Sequence, residues 1–109
     1  MLSAAEIASC QPWALDFGGR AAWRVRIVAE LVEINSLHLR GETRRAGADI
    51  QLQGALEAED SITDETIVAG LRAFLQKAED DLAALEQRRD ELLVLLDTLN
   101  AAEATGGGR

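Results

Sequence analysis

Aromatic side chains are scarce in this chain: its 109 residues include Trp13, Trp23, Phe17 and Phe74 and no tyrosine. A core must therefore be built from Leu, Ile, Val and Ala. The single cysteine, Cys10, excludes an intrachain disulfide and a thiolate cluster, and favours a reducing compartment. The longest purely apolar run, Leu92 to Leu96, is much too short to span a bilayer. The N-terminus, Met-Leu-Ser-Ala-Ala-Glu, lacks a basic region followed by an apolar stretch, so no signal peptide is read. A cytoplasmic protein with no membrane partner is expected. Abundant Ala, Arg, Glu and Leu suggest a GC-rich bacterial source or its phage.

Catalytic signatures are missing as well. His38 is the only histidine, and Cys10 has no neighbouring base, so neither forms a nucleophile motif. Gly18-Gly19-Arg20 lacks the full glycine fingerprint and the lysine of a phosphate loop. Paired carboxylates such as Asp80-Asp81 sit on a solvent face, with no reason for a raised pKa. No enzyme, no catalytic residue, no metal and no cofactor are read.

The formal charge is −8 and unevenly placed. Residues 1–54 hold six acidic and six basic groups, whereas residues 55–109 hold thirteen acidic and five basic. Such a chain repels phosphate backbones, which argues against nucleic acid as a partner. Arg40, Arg44 and Arg45 are a local exception, better read as a solvated turn.

What is present most clearly is a long helix from Asp64 to Leu99. Val68, Leu71, Leu75, Ala78, Leu82, Leu85, Arg89, Leu92, Leu96 and Leu99 follow one another at alternating steps of three and four. All but Arg89 are apolar, which is a coiled-coil seam. No Pro and no Gly follows Gly70 within the span, which would run ~54 Å. Ser61 with Asp64 makes a plausible cap, and Asp60, Asp64 and Glu65 suit the positive end of the helix dipole. This acidic cluster lacks the glycine-centred calcium loop.

Upstream, Ser3 and Glu6 read as a capping box opening a short helix over 3–9, ended by Gln11-Pro12. Trp13, Leu15 and Phe17 alternate with smaller or polar residues, and Gly18-Gly19 then breaks the chain. Over 22–59 three stretches show period two: Trp23 to Leu31, Leu37 to Arg40, and Ile50 to Glu57. Asn35-Ser36 and Arg45 to Asp49 supply turn residues between them. The expected fold is therefore α+β: a short helix, a three-stranded antiparallel β-meander and the long helix over 64–99. It would form one domain over 1–100, with a disordered glycine-rich tail over 101–109. The alternative is a mostly α chain, a helical hairpin or bundle. Ile27, Val28, Leu31, Val32 and Ile34 share a helical face, but the β-branched load of Val25, Ile27, Val28, Val32 and Ile34 favours strand.

A strand of ten residues is ~33 Å long, so the sheet would leave part of the helix uncovered. That mismatch predicts a second chain on the seam, most simply an antiparallel homodimer. In it Val68 faces Leu99, Leu71 faces Leu96, Leu75 faces Leu92, and Arg89 faces the small Ala78. The function expected is that of a non-enzymatic interaction protein: an assembly factor, adaptor or small chaperone, such as a component of a phage or secretion machine. Trp13, Phe17 and Trp23 would contact its client. The alternative is a small ligand-binding regulatory domain with a pocket at those three aromatics.

Overall fold

A computed structural model describes residues 2–58 and 65–106. It contains a short helix α1 (Ala4–Ser9), a 3₁₀ turn (Pro12–Ala14) and two long helices, α2 (Phe17–Glu57) and α3 (Glu65–Gly106). The β-meander expected over 22–59 is contradicted: α2 covers that stretch as far as Glu57, and no strand occurs among the described residues. The mostly α alternative is the one observed.

Local chemistry accounts for the element boundaries. Ser3 Oγ accepts the Glu6 backbone N–H at 3.0 Å while the Glu6 carboxylate accepts the Ser3 N–H, the reciprocal cap that opens α1. Pro12 stands at the first position of the 3₁₀ turn, where its missing N–H costs nothing. Asp16 Oδ1 accepts the Gly19 N–H at 2.7 Å and so caps α2. Gly18 and Gly19, expected to break the chain, instead lie in the first turn of that helix. The expected cap of the last helix, Ser61 to Asp64, lies outside the described residues. At its other end α3 runs on past Leu99 to Gly106, through residues expected to form the tail, and Ala102 is buried.

The chain divides into two compact units. The first comprises Met1–Asn35 and Gln87–Arg109, the second Ser36–Glu86. In the first unit α2 and α3 run antiparallel, since Arg24 pairs with Glu103 whereas Glu30 pairs with Arg88. Its core is Leu2, Ile27, Ile34, Leu92, Leu99 and Ala102. Full burial of a branched aliphatic contributes ~1.5–3 kcal/mol, which outweighs the few tenths that Val and Ile lose in helix propensity. In the second unit the helices are again antiparallel, with His38 beside Glu86 and Gly41 against Leu82. Here the core is built on Ala48, Leu52, Ala78 and Leu82.

On α2 the residues facing inward follow Ile27, Leu31, Ile34, His38, Gly41, Arg45, Ala48, Leu52 and Ala55, all buried or half-buried. These steps of four and three are a heptad seam, matching that of α3.

Candidate interaction site

The ten positions of the seam predicted on α3 are all buried or half-buried in the chain itself. Ala78, Leu82, Leu92 and Leu99 are buried, while Val68, Leu71, Leu75, Leu85, Arg89 and Leu96 are half-buried. Leu92 and Leu99 are fully enclosed at 0% exposure within the first unit. The premise for a second chain on this seam was a sheet too short to cover the helix. The partner element is instead a helix, and that premise falls with the sheet.

None of the three aromatics expected to line a pocket borders either of two concavities on the first unit. Trp13 and Phe17 are 65% and 68% exposed. Trp23 is half-buried beneath the Arg26 guanidinium, which lies 4.9 Å from the ring centroid. Two shallow concavities of the first unit have other linings. One, of about 280 Å³, is bounded by Leu2, Arg26, Ala29, Glu30 and Glu33. The other, of about 480 Å³, is open, predominantly apolar, and bounded by Ala21, Arg24, Val25, Val28 and Ala29. Ala29 belongs to both.

The second concavity marks a feature that sequence reasoning passed over. Phe17, Ala21, Val25, Val28 and Val32 succeed one another at steps of four, four, three and four, a stripe on a different side of α2 from its seam. Val25, Val28 and Val32 are 70%, 46% and 65% exposed. Single exposed aliphatics are ordinary on soluble proteins, whereas these valines form a contiguous row on one helix. Its signal was available as a second heptad interleaved with the first.

Arg24 reaches Glu103 and Asn100, and Arg26 pairs with Glu6. Arg26 holds the Glu6 carboxyl below its ordinary range, with help from the Ser3 backbone N–H. Glu33, beside the stripe, is exposed.

The candidates for chemistry are occupied elsewhere. Both ring nitrogens of His38 face carboxylates, Nδ1 at 3.4 Å from Glu42 and Nε2 at 3.1 Å from Glu86. Cys10 is half-buried, and loss of hydration pushes its thiol pKa up, away from the reactive thiolate. Arg40 and Arg44 are exposed on α2, whereas Arg45 takes a seam position, so the three do not share one face. No group of three or more metal-ligating side chains occurs among the described residues. No described helix is long and apolar enough to cross a membrane.

The chain matches no known family model, no curated protein and no solved structure.

Proposed function

We propose that this protein is a non-enzymatic helical interaction module that docks a protein helix on the exposed apolar stripe of α2 in its first unit. One observation supports the reading above the others: α2 has two apolar rows, and one of them is already satisfied. Ile27 and Ile34 are at most 1% exposed, while Val25, Val28 and Val32, interleaved with them, remain largely open to water. An amphipathic partner helix is the complement such a row selects, read through anchors three and four residues apart. The pocket alternative has less support, since Trp13 and Phe17 stand exposed and neither described concavity is lined by the three aromatics.

The test is site-specific photo-cross-linking in the native host. A photoreactive residue at Val28 or Val32 is expected to yield a discrete protein adduct. The same residue at Asp90, an exposed acidic position on α3, is expected to yield none. Absence of any adduct from both valines would overturn the proposal.

A further inference from the structure

We infer that the N-terminal segment, Leu2 to Leu15, is a releasable strap on the first unit, which lifts from α2 as one piece while α2 and α3 stay packed. Closed, it borders the docking stripe and narrows it. The opening stands on its own; its consequence for docking rests on the role just proposed for the stripe.

The strap is locally complete. Ser3 and Glu6 cap α1 reciprocally, and Leu2 and Ile7 occupy the two positions at which apolar residues staple a helix start. Pro12 and its 3₁₀ turn then lead the chain back to α2, which is capped by Asp16. The hold of this segment on the rest of the unit is slight by comparison. No residue of α1 is buried, and a helix of six residues cannot stand alone in water. Over residues 2–15 only Leu2 and Pro12 are buried.

Two contacts fix its course. Leu2 donates its N–H to Glu30 Oε2 at 3.2 Å, and the Glu6 carboxylate pairs with Arg26. Four residues forward on the strap answer four residues back on α2, so α1 lies antiparallel to it. The Glu6–Arg26 pair is open to water, at 44% and 49% exposure, and such pairs hold weakly. Leu2, at 6% exposure, is therefore the main fastening. The fully enclosed residues of the unit, Ile27, Ile34, Leu92 and Leu99, all belong to α2 and α3. The helix pair thus keeps its core when the strap is away.

What the opening uncovers adjoins the stripe. Leu2 borders the polar concavity with Arg26, Ala29, Glu30 and Glu33, and Ala29 also borders the apolar one beside Val25 and Val28. A helix docked on the stripe meets the edge of the strap at Ala29. With Leu2 lifted, the apolar surface extends from Val28 across Ala29 to the place Leu2 leaves, and Glu30 Oε2 loses its backbone donor. A partner then gains an apolar seat and a hydrogen-bond acceptor, so the closed strap is an autoinhibitory contact.

Amide hydrogen exchange of the full chain, followed residue by residue, tests the opening. The hydrogen-bonded amides of Glu6, Ile7, Cys10 and Ala14 should share one level of protection. That level should be at least about tenfold below those of Ile27, Ile34, Leu92 and Leu99. Leu2→Ala should speed exchange in the strap by about tenfold or more and leave the four core residues unchanged. Strap protection equal to that of the core, or falling steadily from Ala14 toward Glu6 as in simple fraying, would overturn the strap. Photo-cross-linking from Val28 tests the consequence: Leu2→Ala should raise the adduct yield several-fold, and an unchanged yield would overturn the autoinhibitory role. No adduct from Val28 or Val32 in either protein would remove the docking reading and the inhibition with it, while the exchange pattern decides the opening by itself.

Discussion

A single carboxylate oxygen of Glu30 accepts two hydrogen bonds from Arg88, one from Nε at 3.1 Å and one from Nη2 at 2.9 Å. Its other oxygen takes the backbone N–H of Leu2 at 3.2 Å, which ties the N-terminal segment to α2. Glu30 stands one turn from both Ile27 and Ile34 and is only 4% exposed, the one buried charged residue among those described.

A paired charge in such a place adds little net stability, because desolvation offsets its attraction, but the pair is costly to break. Arg88→Met should therefore destabilise the fold by about 3 kcal/mol, leaving the buried Glu30 carboxyl short of its main donor. Glu30→Leu should cost less, since the Arg88 side chain is 19% exposed and reaches water. The double substitution should recover most of the loss. Urea denaturation of the four proteins checks the order. Equal losses for both single substitutions would contradict it.

The Glu6 carboxyl gives the N-terminal segment a pH dependence. Its folded pKa lies below the ordinary value of 4.5, chiefly through the hydrogen bond to Arg26, so its contribution is present above the unfolded value and lost as pH falls through the folded one. Acidification below about pH 4.5 should loosen the contact of α1 with Arg26 and alter the environment of Trp23, over which that guanidinium lies. Tryptophan fluorescence should show a low-pH transition that Glu6→Gln removes. A transition unchanged by that substitution would assign it to another group.

Heptad spacing makes α3 legible because nine of its ten seam positions are apolar, whereas α2 obeys the same spacing and still shows the period two of strands. Two physical features hid it. His38, Gly41 and Arg45 stand in succession at the middle of its seam, so the apolar run lapses where a periodicity argument needs it most. The exposed stripe then adds a second ladder. Trp23, Ile27 and Leu31 advance by four along the inner side, Val25 and Ala29 by four along the outer, and the offset of two places these five at odd numbers. Two helical ladders on differing faces thus imitate one strand. The same overlay recurs with Leu52 and Leu56 against Ile50 and Gly54. The stripe is hidden for the same reason: Val25 falls with the apolar residues of a strand pattern, whereas Val28 and Val32 fall on the even-numbered side with Arg24, Arg26 and Glu30. The capping box of α1 needed no tertiary information, since Ser3 and Glu6 meet within one turn.

The division of α3 into a covered seam and an open remainder predicts sharply different costs for neighbouring truncations. Leu92 and Leu99, both fully enclosed, should each lose about 2–5 kcal/mol on replacement by Ala. Leu93 and Val94, at 42% and 66% exposure, should lose at most about 1 kcal/mol. Thermal denaturation separates the two classes. Comparable losses at Leu92 and Val94 would mean that α3 turns a different face to its partner helix.

Glycines within α2 test the closeness of the helix pair in the second unit. At Gly54 a Cβ would meet no atom within 4 Å, so Gly54→Ala should stabilise by about 0.5–1 kcal/mol through helix propensity alone. At Gly41 the added carbon would lie 2.8 Å from Leu82 Cδ2 and 3.4 Å from its Cγ. Leu82 is 7% exposed, so its end cannot swing into water to make room. Overpacking of this kind costs about 1–3 kcal/mol, which cancels or exceeds the propensity gain. Gly41→Ala should therefore leave stability unchanged or lower it by up to about 2 kcal/mol. Leu82→Ala alone opens a cavity, but in combination with Gly41→Ala the new methyl occupies part of that space. The double substitution should then be less destabilising than the two singles added together, by about 1 kcal/mol. Chemical denaturation of the full cycle supplies the comparison. A Gly41→Ala protein stabilised as much as Gly54→Ala would show that α2 and α3 stand further apart at this level than the 2.8 Å approach requires.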